Sequence, residues 1–398
     1  MRTLLPDLLT AQAAGYPTGG YAPAVRCILT SKDGGTTYDY SFDPTVTTNR
    51  LLHVQQVEEK ENDYGVILLS NYDGAIPTDL AGYYVDIGWG LNTAAGVAHT
   101  GAASPRLWVM EQWQVSGGPK GSKPGLHTVL VMGGAWNAVL DQQPVRVGVS
   151  PLYRYDVDYV TAGLQNKTIY GAIEYLIESG LFAQTGLSFT LDALGTQDDG
   201  AIDTLIPFPY DAHEEDLMRT INADSPGRLE TYGAVIKALL QLTKCTMITR
   251  ADLAFKIIYP QEGDSVNETY HSSLSAGHPF YEAEDRRLNM TPNHFEVIGY
   301  WDGVTEIIGD WFDSDHYTTA PTRPFNSDQI EDYYTGPFMP VTESIYEEGL
   351  NTNTECTARA EYLGWHTKDK ITGTRVIIPM DASVELGDRI AIDDQRGH

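Results

Sequence analysis

The sequence predicts a mainly β fold with α+β segments, and three observations carry that reading. Residues 21–150 hold seven short apolar segments separated by tight-turn signals. Between residues 156 and 260, two apolar stripes follow the helical period, and the second leads straight into a hairpin pattern. Beyond Pro260 the strand pattern resumes. A chain of 398 residues exceeds what one hydrophobic core normally organises. The expected architecture is therefore two β-barrel-like domains, residues 1–155 and 261–398, on either side of a helix–hairpin domain over 156–260.

In the first domain, alternation places strands at Arg26–Leu29, Leu51–Val57, Gly65–Leu69, Tyr83–Trp89, Leu107–Val115, His127–Met132 and Val145–Val149. Turn signals lie between them at Asp33-Gly34-Gly35, at Asn71-Tyr72-Asp73-Gly74 and in the Gly/Pro/Lys cluster Gly117–Gly125. Short strands at this spacing, with no helical period among them, indicate a barrel or a sandwich.

The character changes after Asp158. Thr168 is placed to cap a helix whose apolar positions are Ile169, Ile173, Leu176, Ile177 and Leu181. An Asp- and Gly-rich loop, Gly195–Gly200, follows. A second helix is expected from Asp224-Ser225-Pro226, because proline is tolerated in a first turn. Its stripe is Leu229, Tyr232, Ile236, Leu239, Leu240 and Thr243, and a hairpin over Thr246–Thr249 and Leu253–Tyr259 comes next.

In the third domain, strands are expected at Phe295–Tyr300, Glu306–Ile308, Thr374–Ile378 and Arg389–Ile392, with a helix over Asn353–His366. The last strand reads as the outgoing arm of a hairpin, which predicts a longer polypeptide. Residues 309–350 read as a long irregular acidic segment. Its aromatics, Trp311, Phe312, Tyr317, Phe325, Tyr333, Tyr334 and Phe338, mark it as an interaction arm, since irregular segments this long are usually binding loops or disordered. Two stretches, Thr78–Ile87 and Ser383–Ile392, are faintly alike: each sets a leucine and a glycine shortly before an alternating strand.

Charge divides the chain. The formal net charge is -28. Residues 1–155 carry 10 basic and 13 acidic side chains, whereas residues 156–398 carry 16 and 41. Such a surface repels nucleic-acid phosphates, and it equally suits a general solubility device. No stretch approaches the roughly 20 apolar residues of a membrane helix, and the N-terminus lacks the unbroken apolar run of a secretion signal. Cys27, Cys245 and Cys356 are odd in number and far apart, which predicts buried thiols rather than a disulfide framework or a zinc cluster.

No motif points to a catalytic centre, a cofactor or a metal. Asp310, Asp313, Asp315 and His316 lack the glycine and terminal glutamate of a calcium loop and read as a solvated acidic loop. His213-Glu214-Glu215-Asp216 has no second histidine one turn away, and Gly117–Lys123 lacks the phosphate-loop spacing. A carboxylate pair of glycosidase type is defined by separation in space, so the sequence leaves it open. The 24 tyrosines and 7 tryptophans suit protein interfaces better than sugar sites.

Three features together resemble the hub proteins of phage-type tails and contractile injection machines. They are the strand-rich segment 21–150, the helix-plus-hairpin unit Leu229–Tyr259 with its Leu239-Leu240-Gln241-Leu242-Thr243 ending, and the terminal run Val384-Glu385-Leu386-Gly387-Asp388-Arg389-Ile390-Ala391-Ile392-Asp393. The resemblance implies a non-enzymatic subunit of a virion tail tip, assembled in the host cytoplasm. It implies a homotrimer whose two barrels per subunit give a pseudo-sixfold ring, joining the tail tube to distal fibre or spike proteins. It further implies a part in host attachment and genome ejection, with DNA passing through unbound. A host-glycan-binding tail module and a tail-associated glycan hydrolase remain the alternatives.

Overall fold

The structure is a computed structural model. It describes residues 2, 4–13, 22–93, 96–99, 104–117, 125–144, 168–194, 231–241, 243–251, 253–259, 264–273, 278–287, 291–301, 306–322, 330, 332–336, 339–347, 350, 352–379 and 381–394. Val145–Val149, Gly195–Gly200, His213–Asp216, the start of the second expected helix at Asp224–Leu229 and most of the Gly117–Gly125 turn lie outside them.

A short helix, α1 (Pro6–Ala13), precedes eight strands: β1 (Ala22–Thr30), β2 (Thr37–Asp39), β3 (Leu51–Val57), β4 (Tyr64–Ser70), β5 (Tyr84–Thr93), β6 (Gly96–His99), β7 (Leu107–Gly117) and β8 (Gly125–Gly134). They form one antiparallel sheet in the order β2-β1-β5-β7-β8-β4-β3, with β6 beside β5. The β5–β7 pairing is only two residues long, Tyr84 with Trp108 and Val85 with Leu107. At that narrow junction the two halves of the sheet turn toward each other. Inward residues of both halves, among them Cys27, Leu29, Ile67, Leu69, Ile87, Leu107 and Leu130, share one buried cluster. The result is a sandwich whose edge strands, among the described residues, are β2 and β3. The expected barrel is corrected here: no sheet in the described structure closes on itself.

A π-helical turn, α2 (Trp136–Leu140), leaves the sheet. Helix α3 runs as α-helix over Ile169–Glu174, as π-helix over Tyr175–Leu181 and as α-helix again over Phe182–Thr185. Its cap is the expected one, with Thr168 Oγ1 accepting the Gly171 N–H at 3.1 Å. The five expected stripe residues are all buried. Strand β9 (Thr190–Leu191) precedes α4 (Tyr232–Leu240), capped by Thr231, and the hairpin β10 (Thr246–Thr249) and β11 (Ala254–Ile258).

The rest comprises β12 (Glu268–His271), β13 (Glu282–Arg287), β14 (His294–Trp301), β15 (Glu306–Phe312), β16 (Thr342–Tyr346), α5 (Asn353–Ile371), β17 (Thr372–Ile377) and β18 (Ile390–Asp393). These make two strand pairs, β12-β18 and β13-β17, and a three-stranded sheet, β15-β14-β16. Strand β18 runs parallel to β12. A second buried cluster joins Trp108 and Trp136 to α3, α4 and β10-β11, and continues through Phe295, Val297, Cys356 and Ala360. The helix–hairpin unit and the sheet under α5 thus share a core.

The faint repeat has a structural counterpart. The Tyr83 N–H bonds the Leu80 carbonyl, and the Asp388 N–H bonds the Glu385 carbonyl. In both turns the third residue is a glycine at positive φ, Gly82 at 78° and Gly387 at 90°, the conformation a type II turn demands at that position.

Candidate interaction surface

The arm expected over 309–350 begins and ends as strand. Residues 309–312 complete β15, and β16 pairs in parallel with β14. The reading of a wholly irregular segment is corrected accordingly. The apolar period breaks at Gly309 because helix α5 occupies that space. A Cβ there would lie 2.0 Å from the Thr357 backbone nitrogen and 2.2 Å from the Cys356 carbonyl carbon. The Trp311 ring likewise rests on α5 at Gly364, where an added Cβ would come within 2.2 Å of it. Trp311 packs against the second core cluster.

Buried His294 ties the three strands together. Its Nε2 lies 3.0 Å from Asp310 Oδ1 on β15, and its Nδ1 lies 2.9 Å from Thr342 Oγ1 on β16. Phe312 stacks on the same ring with centroids 4.1 Å apart. Tyr317 meets Phe312 edge-on at 5.1 Å and Tyr334 at 5.3 Å. Its hydroxyl donates to Asn293 Oδ1 at 3.3 Å. Burial, with Tyr334 and Asp313 adding to it, pushes this phenol up to about 12.

Four of the seven expected arm aromatics, Trp311, Phe312, Tyr317 and Tyr334, therefore stack within the chain. Tyr333 is exposed, as are Met339 and Tyr346 nearby. Phe325 and Phe338 lie outside the described residues. The acidic cluster is also less solvated than its sequence suggests. Asp313 is 3% exposed and accepts from Lys368 Nζ at 2.9 Å, while Asp315 reaches the same ammonium at 2.6 Å. Burial weighs against the Lys368 charge, yet these bonds hold it above the usual lysine range. Among the described residues no group of three His, Cys, Asp or Glu is arranged to hold a metal ion. All three cysteines are buried and none forms a disulfide, and burial pushes the Cys27 and Cys356 thiols up to about 12.

A cavity of about 600 Å³ opens on the outer side of β1, β2 and β6. Arg26, Asp39, Phe42, Asp43, Asn49 and His99 line it. The His99 Nε2 is buried without a hydrogen-bond partner, and burial followed by the Arg26 charge holds the imidazole below its ordinary range. No sequence motif marks this site, because its residues converge from three separate strands and a loop.

No protein-family model matches the chain, and no curated protein does. Solved structures do. The tail protein from Neisseria meningitidis superposes with a TM-score of 0.53 at 10% identity, over 94% of this chain and 88% of that one. The fold is that of a phage tail protein. The 43 kDa tail protein of prophage MuSo2 from Shewanella oneidensis agrees, with a TM-score of 0.52 at 9% identity over 94% and 89% of the two chains. At such identities the likeness to these tail proteins is one of fold.

Proposed function

We propose that this chain is a structural hub or baseplate subunit of a virion tail, joining the tail tube to distal tail-tip proteins. The carrying observation is the likeness in fold to two tail proteins along nearly the whole chain. The reading includes three copies in a ring at the tail tip, assembled in the host cytoplasm. It includes a part in attachment and in passing the genome through unbound. The excess acid of residues 156–398 supports that last point, since carboxylates on a channel wall repel phosphates. Within 309–350, the neighbour-binding role falls to the exposed Tyr333, Met339 and Tyr346, because most of the other described aromatics are committed to the fold. Co-purification with tube protein tests the reading, together with the absence of tight DNA binding near physiological salt. A chain that ignores the tube and retains DNA would sink it.

The cavity beside β1 favours a second reading, host-glycan binding. Carboxylates and an arginine around a phenylalanine can hydrogen-bond sugar hydroxyls and stack a sugar face. Glycan-array binding lost in Arg26→Ala would support this reading, and an array with no hits would remove it.

A further inference from the structure

The first sheet carries apolar side chains on both faces. Register places Leu68, Val129 and Trp113 side by side across β4, β8 and β7, with Val66 and Val131 in the adjacent row and Val115 beside His127. Their sequence neighbours Ile67, Leu69 and Leu130 point the other way, into the sandwich core. An antiparallel sheet with one wet face normally alternates apolar with polar residues. At one end of this outer face, Tyr84 and Trp108 lie under the second core cluster. At the other end, Trp113 and Val115 are each 44% exposed. Three strands about 4.8 Å apart and five residues of about 3.4 Å each make an open apolar patch of roughly 250 Å². That is close to the lower end of the size at which exposed patches are often functional, about 300–600 Å². A stable interface needs about 800 Å² per partner, so the patch suits the centre of one, with a polar rim supplying the rest.

We propose that a second copy of this chain covers the open end of that face. The inference deepens the assembly reading above, on which its biological setting rests, by naming the surface through which copies meet. Charge selects the occupant. The chain carries -28, while the patch holds one charged residue, Glu111 in the row of Val66 and Val131. Bodies of like charge approach with least repulsion through a surface nearly free of charge. A basic partner would be drawn to the acidic remainder instead. The neutral area runs on to the sheet edge, where β3 (LLHVQQV) has no charged residue and no proline. Edge strands that must stay unpaired usually carry one or the other.

Sedimentation of the full chain across a wide concentration range, in low and in high salt, tests this. The expected result is self-association that tightens as salt screens the repulsion. In Val115→Glu it should weaken by at least about tenfold, with unchanged circular dichroism and melting. A chain that stays monomeric throughout, or a Val115→Glu variant that associates as well as the parent, would overturn the proposal. Because the native cysteines are buried, Val115→Cys offers a thiol that a polarity-sensitive maleimide dye can label selectively. Its emission should shift to the blue on association, and a concentration-independent spectrum would count against the patch. Mass spectrometry of purified tails separates the two readings. A chain that self-associates through the patch but is absent from tails refutes the hub alone, and one present in tails but blind to Val115→Glu refutes the patch alone.

Discussion

The eight-stranded sandwich and the sheet under α5 solve the same packing problem in different ways. The sandwich encloses a core drawn from its own strands, so alternation and turn residues within 110 or so positions suffice to define it. The β14–β15–β16 sheet shares its core with α3, α4 and the hairpin, and it seats α5 through two close approaches at Gly309 and Gly364. A self-contained core writes itself into local pattern. A shared one depends on contacts distant in sequence.

The largest effect that sharpens this contrast is expected at Leu239, which is 3% exposed at the centre of the shared cluster. Leu239→Ala should cost about 2–5 kcal/mol in urea melts, as for a buried leucine. Hydrogen exchange should show protection falling in α5 along with β10 and β11 while the sandwich keeps its own. Loss spread evenly over both regions would break the distinction. Gly309→Ala should cost about 1–3 kcal/mol by overpacking, because the atoms in its way are helix backbone. A neutral result in the same melts would show that α5 sits farther from β15.

Asp63 tests the seam between the two regions. It is 2% exposed, and burial lifts its carboxyl to about 7 while a bond to Thr249 of the hairpin pulls the other way. Unfolded, it ionises near 3.8. The raised folded value means its contribution is complete below about pH 4 and is lost as pH rises toward 7. Stability should therefore fall by roughly 2 kcal/mol between about pH 5 and 8, and Asp63→Asn should flatten that slope. A slope unchanged in the variant would place the titration elsewhere. The smallest effect is expected at exposed Tyr333: Tyr333→Ala should leave stability within about 0.5 kcal/mol while weakening capture of a neighbouring tail protein. A large stability loss would mean that this ring belongs to the fold like Tyr317.

The same contrast explains what the sequence revealed. Strand β3 and strand β10 fall at their expected residues, and the Thr168 cap and the α4 stripe were legible because each is a local signal. Strands β2, β6, β9, β12, β13 and β16 went unread: β2, β6 and β9 are only 3, 4 and 2 residues long, and the partners of β12, β13 and β16 lie far along the chain. Helix α5 starts at its expected residue, Asn353, and a local signal accounts for it. Glu355 accepts the Thr352 N–H at 3.0 Å, and Thr352 Oγ1 accepts the Glu355 N–H at 3.2 Å, a capping box plain in Thr352-Asn353-Thr354-Glu355. The barrel expectation failed because strand count does not reveal whether the edge strands β2 and β3 pair with each other. Among the arm aromatics, composition does not tell a ring that faces a partner from one that stacks on His294. The open face of the sandwich did leave a trace, in the unbroken apolar run Val129–Met132.

The central claim is that this fold serves as a ring-forming tail subunit. Negative-stain imaging of the purified full chain, at concentrations where it associates, tests that most directly. The account predicts closed rings of three copies, each showing two lobes toward the axis, with an open channel. A field of single particles, or of open filaments with no closed ring, would contradict it.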